Sequence, residues 1–177
     1  NEIPLADLQA MFHLATPNPV IDAVSNTAAL DWEFDSTATT FDFIANGESL
    51  VLTYTVEVTD TSGDLGTDTN TNTVTITIGG TNDQPTISFD TASLTETDNP
   101  LTTNGSLTIV DLDTSDEVNA QVIDLQIDDS NIANGNEIPL ADLQAMFHLA
   151  TPNPVIDAVS NTAALDWEFD STATTFD

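Results

Sequence analysis

Asp111 and Asp113 stand two residues apart in the run Val110-Asp111-Leu112-Asp113, and in an extended segment that spacing aims both carboxylates to one side. Carboxylates so arranged can hold a hard cation. Ca²⁺ takes oxygen ligands, about six to eight of them at roughly 2.3–2.6 Å. The rest of the sequence favours the same chemistry, because 30 Asp and Glu are set against no Lys or Arg, for a formal charge of −30 with only two His. No basic side chain other than His13 or His148 can neutralise a carboxylate. Monovalent salt screens charges beyond about 8 Å at physiological ionic strength but does little for carboxylates packed closer. A compact chain of one charge sign also pushes against itself. A divalent cation relieves both problems. The competing account is acidity that serves solubility alone.

The same composition narrows the function classes. Nucleic acid is excluded, since phosphate binding draws on Lys and Arg. An anionic membrane surface is excluded for the same reason unless cations bridge it, and no stretch approaches the roughly 18 apolar residues of a spanning helix. With no Cys in the chain, neither disulfides nor thiolate metal sites are available. Glycoside hydrolysis needs two acids flanking a bond, but catalytic carboxylates need environments that split their pKa values, which Asp residues in surface loops lack. Neither a nucleophile–base pair nor a glycine-rich phosphate cradle is present. The chain reads as non-enzymatic. A hydrophobic content of 40% is enough for a packed core despite the charge.

The elements that must carry the carboxylates come in a repeat. Residues 1–42, from NEIPLADLQAMF to STATTFD, recur without change at 136–177, an offset of 135 residues. That period is too long for a solenoid of small stacked units of about 20–50 residues and ordinary for an independently cored domain. The expected organisation is a tandem array. Residues 1–81 are the C-terminal part of one repeat, 82–85 a linker, and 86–177 the N-terminal part of the next. Most of the chain reads as strands. Leu50–Val58 alternates with Leu52, Tyr54, Val56 and Val58 on one face, and Thr73–Ile78 alternates with Val74, Ile76 and Ile78. Further strands are expected at Ala29–Asp35, Thr86–Phe89, Ser106–Val110, Gln121–Ile127 and Ala164–Asp170, separated by Gly, Asn, Asp and Pro turns in the manner of a β-sandwich. A short helix is expected within Ile3–Leu14, where Leu5, Leu8 and Phe12 share a face, and again at Leu140–Phe147. His13 and His148 at its end are expected on the surface, and Trp32, Phe34, Phe41, Phe43 and Tyr54 in the core.

The run FDFIANGESLVLTYTVEVTDTSG at Phe41–Gly63 and VTITIGGTNDQP at Val74–Pro85, with LTETD at Leu94–Asp98 and LTIVDLD at Leu107–Asp113, resembles the VCBS repeat domain of giant bacterial RTX-type surface adhesins. The resemblance covers the 135-residue period. It implies an immunoglobulin- or cadherin-like Greek-key β-sandwich with one short helix, in tandem repeats. It also implies secretion to the cell surface by a type I system, and a role as a calcium-stabilised spacer supporting adhesion and biofilm formation. The partners implied are neighbouring identical repeats. A ligand- or carbohydrate-binding module, or a filament unit formed by strand exchange, is the alternative.

Asn82-Asp83 is similar to the Asn-Asp linker of cadherins, whose neighbouring domains share Ca²⁺, and Pro85 holds Gln84 extended. Asp60 at the end of the long strand, Glu96 after the first strand of the new repeat, and the pair Asp111 and Asp113 are expected at the same junction. Asp116 extends that run, and Asp64 could contribute to a second position near Asp60. Asp128-Asp129-Ser130-Asn131 departs from the spacing of an EF-hand loop and suits a turn. Asp42 is expected to bond the backbone of its own turn.

Overall fold

The computed structural model describes residues 3–22, 24–60, 68–133, 135–171 and 176. They form two compact units, Asn1–Thr81 and Asn82–Asp177. Both are built of antiparallel strands with a short helix each, an all-β fold.

The first unit opens on helix α1 (Leu5–Ala10), entered from Pro4 at φ −56°. Pro suits that position because its fixed φ is compatible with helix entry and it has no N–H to lose. The helix stops before Phe12. Phe12 belongs instead to strand β1 (Phe12–Leu14), which pairs with β2 (Trp32–Phe34) in the register Phe12↔Phe34, His13↔Glu33, Leu14↔Trp32. Directly opposed residues share a face. Phe12, Leu14, Trp32 and Phe34 therefore line one side, and His13 and Glu33 the other. The long strands β3 (Ser49–Asp60) and β4 (Asp68–Gly79) pair antiparallel in twelve opposed positions, from Ser49↔Gly79 to Asp60↔Asp68. Leu50, Leu52, Tyr54 and Val56, with Val74, Ile76 and Ile78 of β4, are its half-buried face, while Val58 is exposed.

Tyr54 fastens the hairpin to the repeat segment. Its ring stacks on Phe12 at 4.5 Å and lies 6.4 Å from Phe34, and its hydroxyl donates to the Leu8 carbonyl at 2.7 Å. At the other end of the hairpin Gly80 is required. A Cβ there would stand 2.1 Å from the Ile44 carbonyl oxygen, while the Gly80 N–H bonds Glu48.

The second unit is a four-stranded sheet of order β5-β6-β8-β7, with β5 at Thr86–Ile87, β6 at Thr102–Val110, β7 at Phe147–Leu149 and β8 at Thr162–Asp170. Helix α2 (Leu140–Met146) leads into β7. β6 and β8 pair along their full length, from Thr102↔Asp170 to Val110↔Thr162. Ile109, Val155, Ile156 and Leu165 form the core, with Leu107, Val118 and Leu149 packed against it. Gly105 lies directly opposite Trp167, and a Cβ there would meet the indole at 2.5 Å. The absent side chain lets the ring lie flat on β6 and reach Asp90, to which its Nε1–H donates at 3.1 Å.

Several sequence expectations are corrected. Gln121–Ile127 forms no strand, because among the described residues no sheet edge pairs with it, and Val122 and Ile123 stand exposed. Thr86–Phe89 shortens to Thr86–Ile87, paired with Val110 and Ile109, because the Thr108 N–H turns to the Ser88 hydroxyl at 2.9 Å in place of a main-chain carbonyl. β6 starts earlier than Ser106 because β8 is long enough to pair back to Thr102. The two copies of the repeated segment also differ. Ala29–Asp35 yields only Trp32–Phe34, whereas the identical residues of the second copy extend through Thr162–Asp170 because β6 supplies a partner. Trp32, expected in the core, is 46% exposed, while Trp167 is 7% exposed. Context, not propensity, decides these positions.

Candidate metal centre

β6 ends at Val110, and the chain turns away through Asp111-Leu112-Asp113. That exit is held by main-chain bonds. The Asp111 N–H donates to the Asn161 carbonyl at 3.0 Å, and the Asp116 N–H to the Asp113 carbonyl at 3.2 Å. The alternation of the strand persists past its end, so Leu112 faces solvent while Asp111 and Asp113 turn inward. They are 3% and 0% exposed. Asp111 accepts the Asp113 N–H at 3.2 Å. Asp113 accepts the Asp83 N–H on Oδ2 at 2.7 Å, and its Oδ1 is buried with no hydrogen-bond partner.

This arrangement is costly as it stands. Removing a carboxylate from water carries an effective penalty of several kcal/mol, and the sequence has no Lys or Arg to offset it. An orphaned oxygen beside a second buried carboxylate suits a hard cation with oxygen ligands. Asp111 and Asp113 could hold such an ion, and the half-buried Asp83 and Asp116 bond Asp113 through their main-chain N–H groups, while among the described residues no third carboxylate gathers with the pair into a three-membered cluster. The Asp83 amide ties the Asn82–Pro85 segment to the centre, and the Asn82 side chain donates to the Asp83 carbonyl at 2.9 Å.

The remaining sequence candidates fall elsewhere. Asp60 is exposed and opposite Asp68, at the end of the hairpin away from Gly79. Eleven residues of strand, roughly 36 Å at about 3.3 Å per residue, separate it from the end where the chain leaves for Asn82, so the structure brings it to β4 rather than to the linker. Glu96 is exposed on the segment between β5 and β6 and makes no hydrogen bond to the pair among the described residues. Asp64 lies outside the described residues. Asp128 and Asp129 accept the main-chain N–H groups of Ser130 and Asn136 at 3.1 and 2.8 Å, so both are engaged by their own turn. The hydrogen bonds from Ser130 hold the Asp128 carboxyl below its ordinary pKa, and those from Val24 and Ser25 do the same for Asp22.

One group was missed in the sequence. His13, Glu33 and Asp35 bring three potential ligand atoms within 4.8 Å of one another, all exposed, with His13 Nε2 at 3.1 Å from Glu33 and 3.9 Å from Asp35. Cross-strand pairing of His13 with Glu33 on β1 and β2 creates it, which short-range sequence spacing does not reveal. The identical second copy keeps the His148–Glu168 contact at 3.1 Å, but among the described residues no such three-membered group recurs there. A constellation that the same sequence does not reproduce is surface pairing, not a built site. Compared with known proteins, the chain matches no family, no curated protein and no solved structure.

Proposed function

We propose that this chain is a calcium-stabilised spacer module of a long extracellular bacterial adhesin or surface fibre, built from tandem VCBS-like repeats with an immunoglobulin- or cadherin-like sandwich in each. The observation that carries the reading is the buried pair Asp111 and Asp113, with an orphaned Asp113 oxygen, in a chain that contains no Lys or Arg. The cation is Ca²⁺, on the chemistry of an all-oxygen donor set.

The main-chain bond from Asp83 to Asp113 gives the ion a mechanical role. Binding fixes Asp113, which fixes Asp83, and so anchors the Asn82–Pro85 segment to the unit it enters. A long surface fibre needs that stiffness. The unbroken identity of residues 1–42 with 136–177 supports repetition for length rather than a single reactive centre.

Small-angle scattering of the chain in calcium and in chelator tests this role. The expected result is a narrower distribution of end-to-end dimensions with calcium and a broader one after chelation. Indistinguishable scattering profiles would remove the stiffening role.

A further inference from the structure

Three Asn-Gly steps occur in the chain, at Asn46-Gly47, Asn104-Gly105 and Asn134-Gly135. An Asn side chain before Gly is open to attack by the next main-chain nitrogen, because no Cβ shields that nitrogen. The attack also needs the nitrogen unbonded. Gly105 stands opposite Trp167 in the β6–β8 ladder. The same register has Asp111 donating to Asn161 at one end and Ser171 to Leu101 at the other, and the alternation of an antiparallel ladder makes Gly105 and Trp167 a main-chain bonded pair. The Gly135 N–H donates to the Ile132 carbonyl at 3.1 Å. Gly47 differs from both. Its N–H makes no hydrogen bond among the described residues, and it and Asn46 are exposed. Beyond its chain neighbours, nothing lies within 4 Å of where a Gly47 Cβ would stand.

We infer that Asn46 is a site of spontaneous deamidation, at which the Gly47 nitrogen displaces the side-chain amide and leaves isoaspartate in the turn. The Gly47 nitrogen bonds the Asn46 side-chain carbonyl carbon, the bond from that carbon to the amide nitrogen breaks, and ammonia leaves with the proton lost by Gly47. Solvent water then opens the cyclic imide. Cleavage on the side-chain side gives Asp, and cleavage at the main-chain carbonyl gives isoaspartate. The fold gives the change a consequence. The Glu48 N–H donates to the Ala45 carbonyl at 3.0 Å, closing a four-residue turn with Gly47 at φ 89° in its third position, where a positive φ selects Gly. The Glu48 side chain accepts the Ala45 N–H at 3.2 Å, and its carbonyl accepts the Gly80 N–H at 3.0 Å. Isoaspartate lengthens the main chain between residues 46 and 47 and sets a new carboxylate beside Glu48, in a chain with no Lys or Arg to offset it. The turn then no longer closes, and Glu48 loses its hold on Ala45 and on Gly80 at the end of β4. The reaction draws only on solvent water, so it proceeds with or without bound metal.

Mass spectrometry of the aged chain tests the assignment. The folded chain is held in mildly alkaline buffer made with water enriched in heavy oxygen. It is then cut in ordinary water by a protease specific for acidic residues, since trypsin finds no Lys or Arg. Only conversion before digestion carries the label. The peptide Phe43–Glu48 is expected to gain labelled isoaspartate at least about fivefold faster than the peptides with Asn104 or Asn134, the factor that one main-chain hydrogen bond sets. In denaturant the three rates draw together. Equal rates in the folded chain, or a faster rate at Asn104, overturn the proposal, as does an advantage of unchanged size in denaturant, which would place the preference in local sequence and not in the turn. Thermal unfolding reads the consequence. Ageing lowers the midpoint of the first unit in the wild type and leaves it in place in Asn46→Gln, and equal losses in the two would overturn the loosening of the turn.

Discussion

Replacing Asp113 by Asn is expected to stabilise the second unit in chelator and to erase its response to calcium. Asn keeps a carbonyl oxygen to accept the Asp83 N–H but removes the charge on a side chain that is fully buried with one oxygen unpartnered. Asn still leaves a polar group at the orphaned position, so what is gained is the extra cost of burying a charged rather than a neutral group, about 1 kcal/mol, and metal-free stability rises by about that amount. In the wild type, calcium at about 100 times its dissociation constant contributes roughly 2.7 kcal/mol by mass action. For a unit of this size that raises the unfolding midpoint by about 10–20 °C. The substitution therefore has opposite signs in the two buffers. Thermal unfolding of wild type and Asp113→Asn, each with calcium and with chelator, reads the crossing. Destabilisation of equal size in both buffers would show that Asp113 serves packing alone.

The second large effect separates two residues that are identical in local sequence. Ile156 is 0% exposed and Ile21, its counterpart in the first copy, is 50% exposed. Ile156→Ala opens a cavity among Ile109, Val155 and Leu165 and is expected to cost about 2–5 kcal/mol. Ile21→Ala deletes a side chain already half in water and is expected to stay within about 0.5–1 kcal/mol. Denaturant unfolding gives both values when each unit is followed by its own indole, Trp167 in a Trp32→Phe background for Ile156→Ala and Trp32 in a Trp167→Phe background for Ile21→Ala. Similar costs would mean that the two copies sit in equivalent environments in solution.

The strong alternation of Leu50–Val58 and Thr73–Ile78 was enough to identify both strands of the long hairpin, because a half-buried antiparallel face leaves a period of two in the sequence. Its extension to Asp60 and Asp68 was not readable, since Thr, Asn and Asp there gain their pairing from the partner strand. Phe12 fits helical spacing from Leu5 and Leu8 yet sits in β1, where pairing with Phe34 and contact with Tyr54 outweigh one further helical turn. Gln121–Ile127 has the pattern of a strand but not the neighbour. The two-residue spacing of Asp111 and Asp113 is legible in the sequence. Their depth is not. A charge run suggests a solvated surface, whereas Asp111 and Asp113 lie inside the second unit, so the ion is expected to support that unit as well as stiffen the segment leading into it. Asp60 and the linker both follow strand ends in the sequence, and the hairpin register shows that they are opposite ends.

The most direct test of the central claim is calorimetric titration of calcium into the chain and into three single variants. The account predicts saturable binding of at least one ion per chain. It predicts a loss of about tenfold or more in affinity for Asp111→Ala and for Asp113→Asn, and wild-type behaviour for Asp42→Ala, a turn residue of the first unit. Equal uptake by all four proteins, or weakening by the same factor in all three variants, would mean that overall charge attracts calcium and that the buried pair holds none.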